Sequence, residues 1–148
     1  MHKIIDTALR DFTAIGSSVI SLVFVVLAYT SGMISMANHM FIGIIIVIAV
    51  SSLLKMFFFT ERPRKEHYTN LLEKIDAGSF PSVHVARVTV LAMMWWFTTP
   101  STFVTVVGVI LVLSIAATRI ILRKHRVRDV IGGAILGFIV SSLVQYLL

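Results

Sequence analysis

Long apolar runs separated by short polar connections dominate this 148-residue sequence. Each run holds roughly 20 residues, which at about 1.5 Å per helical residue matches the roughly 30 Å hydrocarbon core of a bilayer. Backbone polar groups in hydrocarbon must bond within their own segment, so these runs are expected to be helices. The sequence predicts one all-α domain over residues 1–148, an integral membrane helical bundle of about five transmembrane helices at residues 12–33, 40–60, 81–99, 101–122 and 130–148.

The composition favours a bilayer over water as the solvent of this chain. Only 14% of the residues are charged and 57% are hydrophobic, whereas soluble domains carry about a quarter charged residues. The absence of cysteine excludes a disulfide framework and thiolate metal sites. Histidine and carboxylate side chains remain as the groups available for chemistry.

Residues 2–11 precede the first apolar run and have an amphipathic pattern. In a helix, the apolar residues of this segment share one face, and Lys3, Asp6 and Arg10 lie on the other. This pattern is typical of a helix lying on the membrane surface. We therefore expect an N-terminal interfacial helix.

The net charge is +6, and nine of the 13 Lys and Arg residues lie in the connections at residues 61–80 and 119–129. With five spans, both connections and the N-terminal helix lie on one side of the membrane. Such clusters indicate anionic lipid headgroups or a phosphate as partners, and no nucleic acid is expected. The positive-inside rule places this side in the cytoplasm.

Lys55 lies inside the second apolar run, and Arg62 follows seven residues later. A charged residue inside the membrane normally faces the bundle interior. Seven residues make about two helical turns, so the spacing predicts both cations on one helix face, with Pro63 ending the helix. Two cations there could clamp an anion. In the alternative interpretation, Lys55 extends to the headgroups and Arg62 is an ordinary flanking residue.

The segment from Ser79 to His84 opens the third apolar run. Pro81 suits the first turn of a helix, whose free N–H groups can bind an anion, and Ser82 can add a hydroxyl donor. His84 lies where it can pass a proton, although a lone histidine at a membrane interface is more often structural. Arg87, one turn further, is expected to face either this site or an interior carboxylate.

The third cluster runs from Thr118 to Asp129. His125 and Asp129 are four residues apart, which predicts that they share one helical face, where the carboxylate would hold the imidazole in one tautomer. Arg119 can bring a guanidinium to a phosphoryl oxygen. The alternative is a basic connection that only sets topology, which is how we interpret Arg123, Lys124, Arg126 and Arg128.

All three clusters fall on the same side of the membrane. Together they supply cations for phosphoryl oxygens, two histidines and a carboxylate, which are the groups that phosphoryl transfer needs. The sequence has no carboxylate cluster suited to Mg²⁺, so the cations are expected to take the place of a metal, with no cofactor.

Three motifs occur in order along the chain: K-x6-R-P from Lys55, P-S-x-H from Pro81, and R-x5-H-x3-D from Arg119. Together they resemble the signature motifs of the type-2 phosphatidic acid phosphatase superfamily, which includes membrane lipid phosphatases and polyprenyl diphosphate phosphatases. The resemblance covers about residues 55–129, and the last apolar run fits it as well.

The resemblance implies a role for each matched residue. His125 would attack phosphorus and form a phosphohistidine, with Asp129 orienting the ring. His84 would protonate the leaving oxygen and then activate water. The family pattern uses no metal, and the phosphoryl oxygens would be held by Lys55, Arg62, Ser82 and Arg119.

Val83 departs from the family pattern, which is usually P-S-G-H. Valine keeps the backbone N–H that can bind phosphate but resists a positive φ. The change is harmless if residue 83 already belongs to the helix, and this is what we expect.

The sequence thus predicts a multi-pass cell-membrane phosphatase acting on a lipid phosphomonoester or diphosphate, such as polyprenyl diphosphate, phosphatidic acid or phosphatidylglycerol phosphate. A lipid phosphotransferase would use the same residues, and a non-enzymatic transporter would use Lys55 and Arg87 as an anion path. The family usually places its site on the extracytoplasmic face, against the charge-based expectation. Gly133 and Gly137 form a G-x-x-x-G expected to serve packing within the chain; the oligomeric state stays open.

Overall fold

A computed structural model of the protein describes residues 16–63 and 69–148, and this part of the chain forms a bundle of α-helices. Among these residues there is no strand, only an isolated antiparallel bridge between Glu61 and Gly78. The predicted all-α membrane bundle is therefore confirmed, while the predicted interfacial helix at residues 2–11 lies outside the described residues. The helices are α1 Ser18–Thr30, α2 Ile34–Phe57, α3 Leu71–Ala77, α4 Val83–Thr98, α5 Thr102–Ile121 and α6 Val127–Leu147.

The surface of the bundle is apolar, while its interior contains charged groups. Helices α2, α5 and α6 are long and apolar enough to cross a membrane, and α1 and α4 are shorter apolar helices. Large side chains such as Val19, Phe103 and Leu113 are exposed, whereas Arg87 and Asp129 are buried. An exterior of this kind is stable in hydrocarbon and not in water.

The turn between α1 and α2 depends on Gly32, whose φ of 78° favours glycine. Because the chain reverses in this short turn, α2 begins at Ile34, earlier than the span predicted from residue 40. Polar residues in the first turns of α2, among them Asn38 and His39, lower the local hydropathy at the membrane edge. The apolar pattern alone therefore predicted a later start.

The prediction that one helix carries Lys55 and Arg62 as far as Pro63 is wrong, because α2 ends at Phe57. The following residues run beside the segment before α4. There the Ser79 N–H donates to the Thr60 carbonyl at 2.7 Å, and Glu61 pairs with Gly78. This pairing satisfies backbone groups that would otherwise continue the helix.

The short helix α3 in this connection was not predicted. Its N-cap is Asn70, whose side chain accepts from the Glu73 N–H at 2.8 Å. The Glu73 carboxylate in turn accepts from the Thr69 N–H at 2.7 Å. Seven residues are too few for a helical period to stand out in the sequence, so the capping residues are the only signal.

Helix α4 lies at the centre of the bundle and contacts α2, α5 and α6. Its contact with α6 is close because Gly133 and Gly137 face it. A Cβ on Gly137 would lie 2.5 Å from the Ala86 carbonyl oxygen, and one on Gly133 would come closer still to the Ser82 carbonyl oxygen. The G-x-x-x-G therefore packs within the chain, as expected, and holds the first turn of α4 against the first turns of α6.

We expect Gly137→Ala to lower the free energy of unfolding by about 1–3 kcal/mol, because the new methyl group overpacks a backbone contact. This cost exceeds the roughly 1 kcal/mol gained from better helix propensity. Thermal unfolding in detergent measures it. Gly108→Ala is the matched control, since its Cβ would meet only the Ala92 side chain, at 3.2 Å. Equal midpoints for the two variants would contradict the close α4–α6 contact.

Candidate active site

The three sequence clusters meet at one end of the bundle. Lys55 comes from the last turn of α2, His84 from the first turn of α4, and Arg119 from the end of α5. The connection between α5 and α6 contributes His125. Lys55, Arg119 and His125 are only 5%, 6% and 2% exposed, respectively. Buried cations of this kind in a membrane protein mark an internal polar site.

His125 is oriented by two hydrogen bonds to the backbone. Its ring Nδ1 lies 2.8 Å from the Ser79 carbonyl oxygen, and its own N–H donates to the Arg119 carbonyl at 3.2 Å. A carbonyl oxygen only accepts, so Nδ1 carries the proton and donates it. The lone pair of the neutral ring is then on Nε2, which is the atom available for attack on a ligand.

The predicted placement of His125 and Asp129 on one helical face is wrong, because α6 begins at Val127 and His125 precedes it. The Asp129 carboxylate instead caps the start of α6, where its Oδ2 accepts from the Arg126 N–H at 2.7 Å. Free N–H groups and the positive end of the helix dipole favour a carboxylate there. Asp129 therefore has no direct bond to the imidazole.

Ser79 connects these two residues, although no role was predicted for it. Its Oγ donates to Asp129 Oδ2 at 2.5 Å, and its carbonyl accepts from His125 Nδ1. The serine is fully buried. A serine in a connection carries no sequence signal beyond its place two residues before Pro81, so only the fold reveals this function.

The P-S-x-H segment forms the N-terminal cap of α4. Ser82 is the N-cap of α4, so Pro81 lies just before the cap, and the prediction that it lies in the first turn of the helix is wrong. The Ser82 N–H donates to the Asp129 carbonyl at 2.9 Å. Its buried Oγ has no hydrogen-bond partner among the described residues, which leaves the hydroxyl available to a ligand.

Val83 is the first residue of α4. In residues 16–63 and 69–148, the non-glycine residue with a positive φ is Arg123 and not Val83. Valine at this position therefore needs no strained backbone, in agreement with the expectation from sequence.

Four cations surround the two histidines. Arg119, Arg87 and Arg62 lie close enough to act on the charge of His84, and Lys55 acts with Arg119 and Arg62 on His125. Arg62 reaches this site from the non-helical segment after α2. Its Nη2 donates to the Asp76 carbonyl at 2.5 Å, which holds the guanidinium near the site.

Burial and these cations keep His125 neutral. Desolvation contributes most, followed by Arg119, Arg62 and Lys55, and together they lower the pKa of His125 from 6.5 to about 3. The hydrogen bond to Ser79 acts in the opposite direction and is outweighed. A neutral ring with Nδ1 protonated is the form of histidine that can act as a nucleophile at neutral pH.

We expect Ser79→Ala to lower the free energy of unfolding by roughly 1.5–3 kcal/mol, because the buried Asp129 carboxylate loses a hydroxyl donor. The Ser79 carbonyl remains, so the ring of His125 keeps its partner. Thermal unfolding in detergent tests this. Ser142→Ala is the matched control, since that hydroxyl donates only to the Phe138 carbonyl of its own helix. Identical midpoints would show that the bond to Asp129 does not contribute.

A family model described as the PAP2 superfamily matches residues 36–148. Comparison with curated protein sequences gives no match.

Two crystal structures have the same fold as this chain. LpxE of Aquifex aeolicus has a TM-score of 0.80 and 20% identity, over 99% of this chain and 88% of that one. A PAP2-type phosphatidylglycerolphosphate phosphatase of Bacillus subtilis has a TM-score of 0.78 and 20% identity, over 96% and 75%. The two structures show that this chain has their fold, and the family match, which covers most of the chain, shows that the protein belongs to the PAP2 superfamily.

Proposed function

We propose that this protein is an integral membrane lipid phosphatase that works without a metal and uses His125 as its nucleophile. The observation that carries the proposal is the hydrogen bond from His125 Nδ1 to the Ser79 carbonyl, which leaves Nε2 unprotonated inside a cluster of cations. This arrangement supplies both a nucleophile and electrostatic stabilisation of a phosphoryl group.

The phosphoryl oxygens of the substrate bind to Lys55, Arg62 and Arg119, with the Ser82 hydroxyl and the Val83 N–H as further donors. Cations in a buried site neutralise the charge of the phosphoryl group as the transition state spreads it over the oxygens. These side chains do here what Mg²⁺ does in many phosphoryl-transfer enzymes.

In the first step, the Nε2 lone pair of His125 attacks phosphorus, the new P–N bond forms, and the bond from phosphorus to the lipid oxygen breaks. His84, protonated in the presence of the phosphate anion, gives its proton to the leaving oxygen. Asp129 supports the developing positive charge on the ring through Ser79.

In the second step, water attacks the phosphohistidine and gives a proton to His84 as the P–N bond breaks. Inorganic phosphate leaves, and both histidines return to their starting states. A histidine that acts first as acid and then as base satisfies the proton balance of both steps.

The position of the site at one end of a membrane bundle supports an amphiphilic substrate, whose headgroup lies at the interface and whose chains stay in the bilayer. An apolar cleft of about 700 Å³ between α4, α5 and α6 offers space for hydrocarbon chains, with Leu113 and Ile135 among its walls. We propose polyprenyl diphosphate, phosphatidic acid and phosphatidylglycerol phosphate as the candidate substrates. The name of the Bacillus subtilis phosphatase makes the last of these the first to test.

We expect the wild type to release inorganic phosphate from at least one of these lipids in detergent with EDTA. His125→Ala should reduce release by at least about 1,000-fold, because it removes the nucleophile. Equal release by both proteins would show that His125 is not the nucleophile. If the wild type releases phosphate without EDTA but not with it, the proposed metal independence is wrong. Transfer of phosphate to an added alcohol in place of water would identify a phosphotransferase.

We also propose that the site faces the cytoplasm at the cell membrane. Lys74, Arg123 and Arg126 lie in the connections at its end of the bundle and Arg128 in the first turn of α6, whereas residues 31–33 and 99–101 at the other end carry no Lys or Arg. This distribution follows the positive-inside rule.

The protein has no cysteine, so single cysteines can report sidedness. We expect Thr99→Cys to react with a membrane-impermeant maleimide added to intact cells, and Lys74→Cys to react only after permeabilisation. Both positions are exposed. The reverse pattern would place the site on the extracytoplasmic face, where this family usually has it.

A further inference from the structure

The start of α1 lies against the first turn of α4, beside His84. A Cβ on Gly16 would lie 3.0 Å from the His84 Cβ and 3.1 Å from its carbonyl oxygen. Two residues later, the Ser18 Oγ accepts from Arg87 Nη1 at 2.5 Å. The family match begins only at residue 36, so these contacts come from a part of the chain outside it.

Arg87 has no role in the three motifs, yet it is 6% exposed and lies one turn after His84 on α4. Its Nε donates to the Val83 carbonyl at 3.4 Å, so the guanidinium spans from the first residue of α4 to α1. Burying a guanidinium is costly. Two hydroxyl groups could join the helices by a hydrogen bond without the free-energy cost of burying a charge. A buried arginine at this place therefore points to a function beside His84.

Gly16, Ser18 and Arg87 together connect the start of α1 to the first turn of α4. The hydrogen bond to Ser18 holds the start of α1 in place, and Gly16 then packs directly on the backbone of His84. No other residue type fits at Gly16 without moving His84, since any Cβ meets a backbone oxygen at 3.1 Å. The orientation of His84 therefore depends on where α1 starts.

We propose that Arg87 is a positioning residue, which together with Ser18 and Gly16 orients His84 for proton transfer to the leaving oxygen. This inference rests on the proposed phosphatase function. Loss of the link leaves the nucleophile His125 in place, because the partners of His125 are Ser79 and Arg119. Protonation of the leaving group then becomes slower, whereas the attack of His125 on phosphorus is unchanged.

Two substrates whose leaving groups differ in their need for a proton can distinguish a positioning role of Arg87 from a structural one. A lipid phosphomonoester has an alkoxide leaving group that needs a proton, whereas 4-nitrophenyl phosphate has a leaving group that departs without one. General acid catalysis contributes roughly 100- to 10,000-fold where the proton is needed. We expect Arg87→Met to lower kcat/KM for a short-chain lipid phosphate by about 10- to 100-fold, and for the aryl phosphate by less than about 3-fold.

Four further variants and one control sharpen the test. Ser18→Ala and Gly16→Ala should show the same dependence on leaving group as Arg87→Met, and His84→Ala should show it most strongly. Arg87→Lys keeps a donor for Ser18 and should recover part of the lost activity. Arg123→Met is the control for removal of an exposed arginine, and it should hydrolyse both substrates like the wild type.

Equal loss on both substrates in Arg87→Met would overturn the inference and leave the proposed function intact. If Arg87→Met fails to fold, as judged by gel filtration in detergent, Ser18→Ala and Gly16→Ala decide the matter, since neither changes a charge. If Ser18→Ala and Gly16→Ala both hydrolyse the lipid phosphate as fast as the wild type, the inference is overturned. If the wild type hydrolyses neither substrate, the proposed function falls and the inference with it.

Discussion

Ser79 bonds to three separate parts of the chain, and the relative positions of the three motifs depend on these bonds. Its N–H donates to Thr60 in the segment that carries Arg62, its carbonyl accepts from the ring of His125, and its hydroxyl donates to Asp129. Because the serine is fully buried, each lost bond would leave a polar group unsatisfied in a region without water. The site is therefore organised around a residue that bears no catalytic group of its own.

A second constraint is the close approach of α4 and α6. Gly133 and Gly137 remove side chains where the two helices touch, and the Ser82 N–H can then donate to the Asp129 carbonyl. This contact brings the cap of α4, with its free Ser82 hydroxyl, next to the connection that holds His125. In a bilayer, where apolar side chains gain little from leaving lipid for protein, such close backbone packing is a main source of stability.

The apolar exterior and the charged interior are two consequences of the same solvent. Side chains on the outside of α5 are exposed and apolar, while Lys55, Arg87 and Arg119 are buried at one end of the bundle. Four cations near two histidines are costly to hold together, and an anion bound among them would relieve that cost. Burial and the same cations keep the pKa of His125 low, so that the ring is neutral.

The apolar runs were sufficient to predict a helical membrane bundle, because hydrocarbon leaves the backbone no other choice. The order and spacing of Lys55, Arg62, His84, Arg119, His125 and Asp129 were sufficient to indicate phosphoryl transfer, because few other reactions use that set. Helical spacing failed at two places. α2 ends at Phe57 because its chain pairs with the segment at Ser79, and His125 precedes α6 because Asp129 caps that helix. The cap of α6 is a local contact between Asp129 and Arg126. The end of α2, however, depends on a hydrogen bond between residues far apart in sequence, and so do the contacts of Ser79 and the link from Arg87 to Ser18. Local patterns cannot encode such pairs, so the sequence by itself determined the solvent, the helices and the chemical groups, and only the tertiary structure decided which groups hold one another in place.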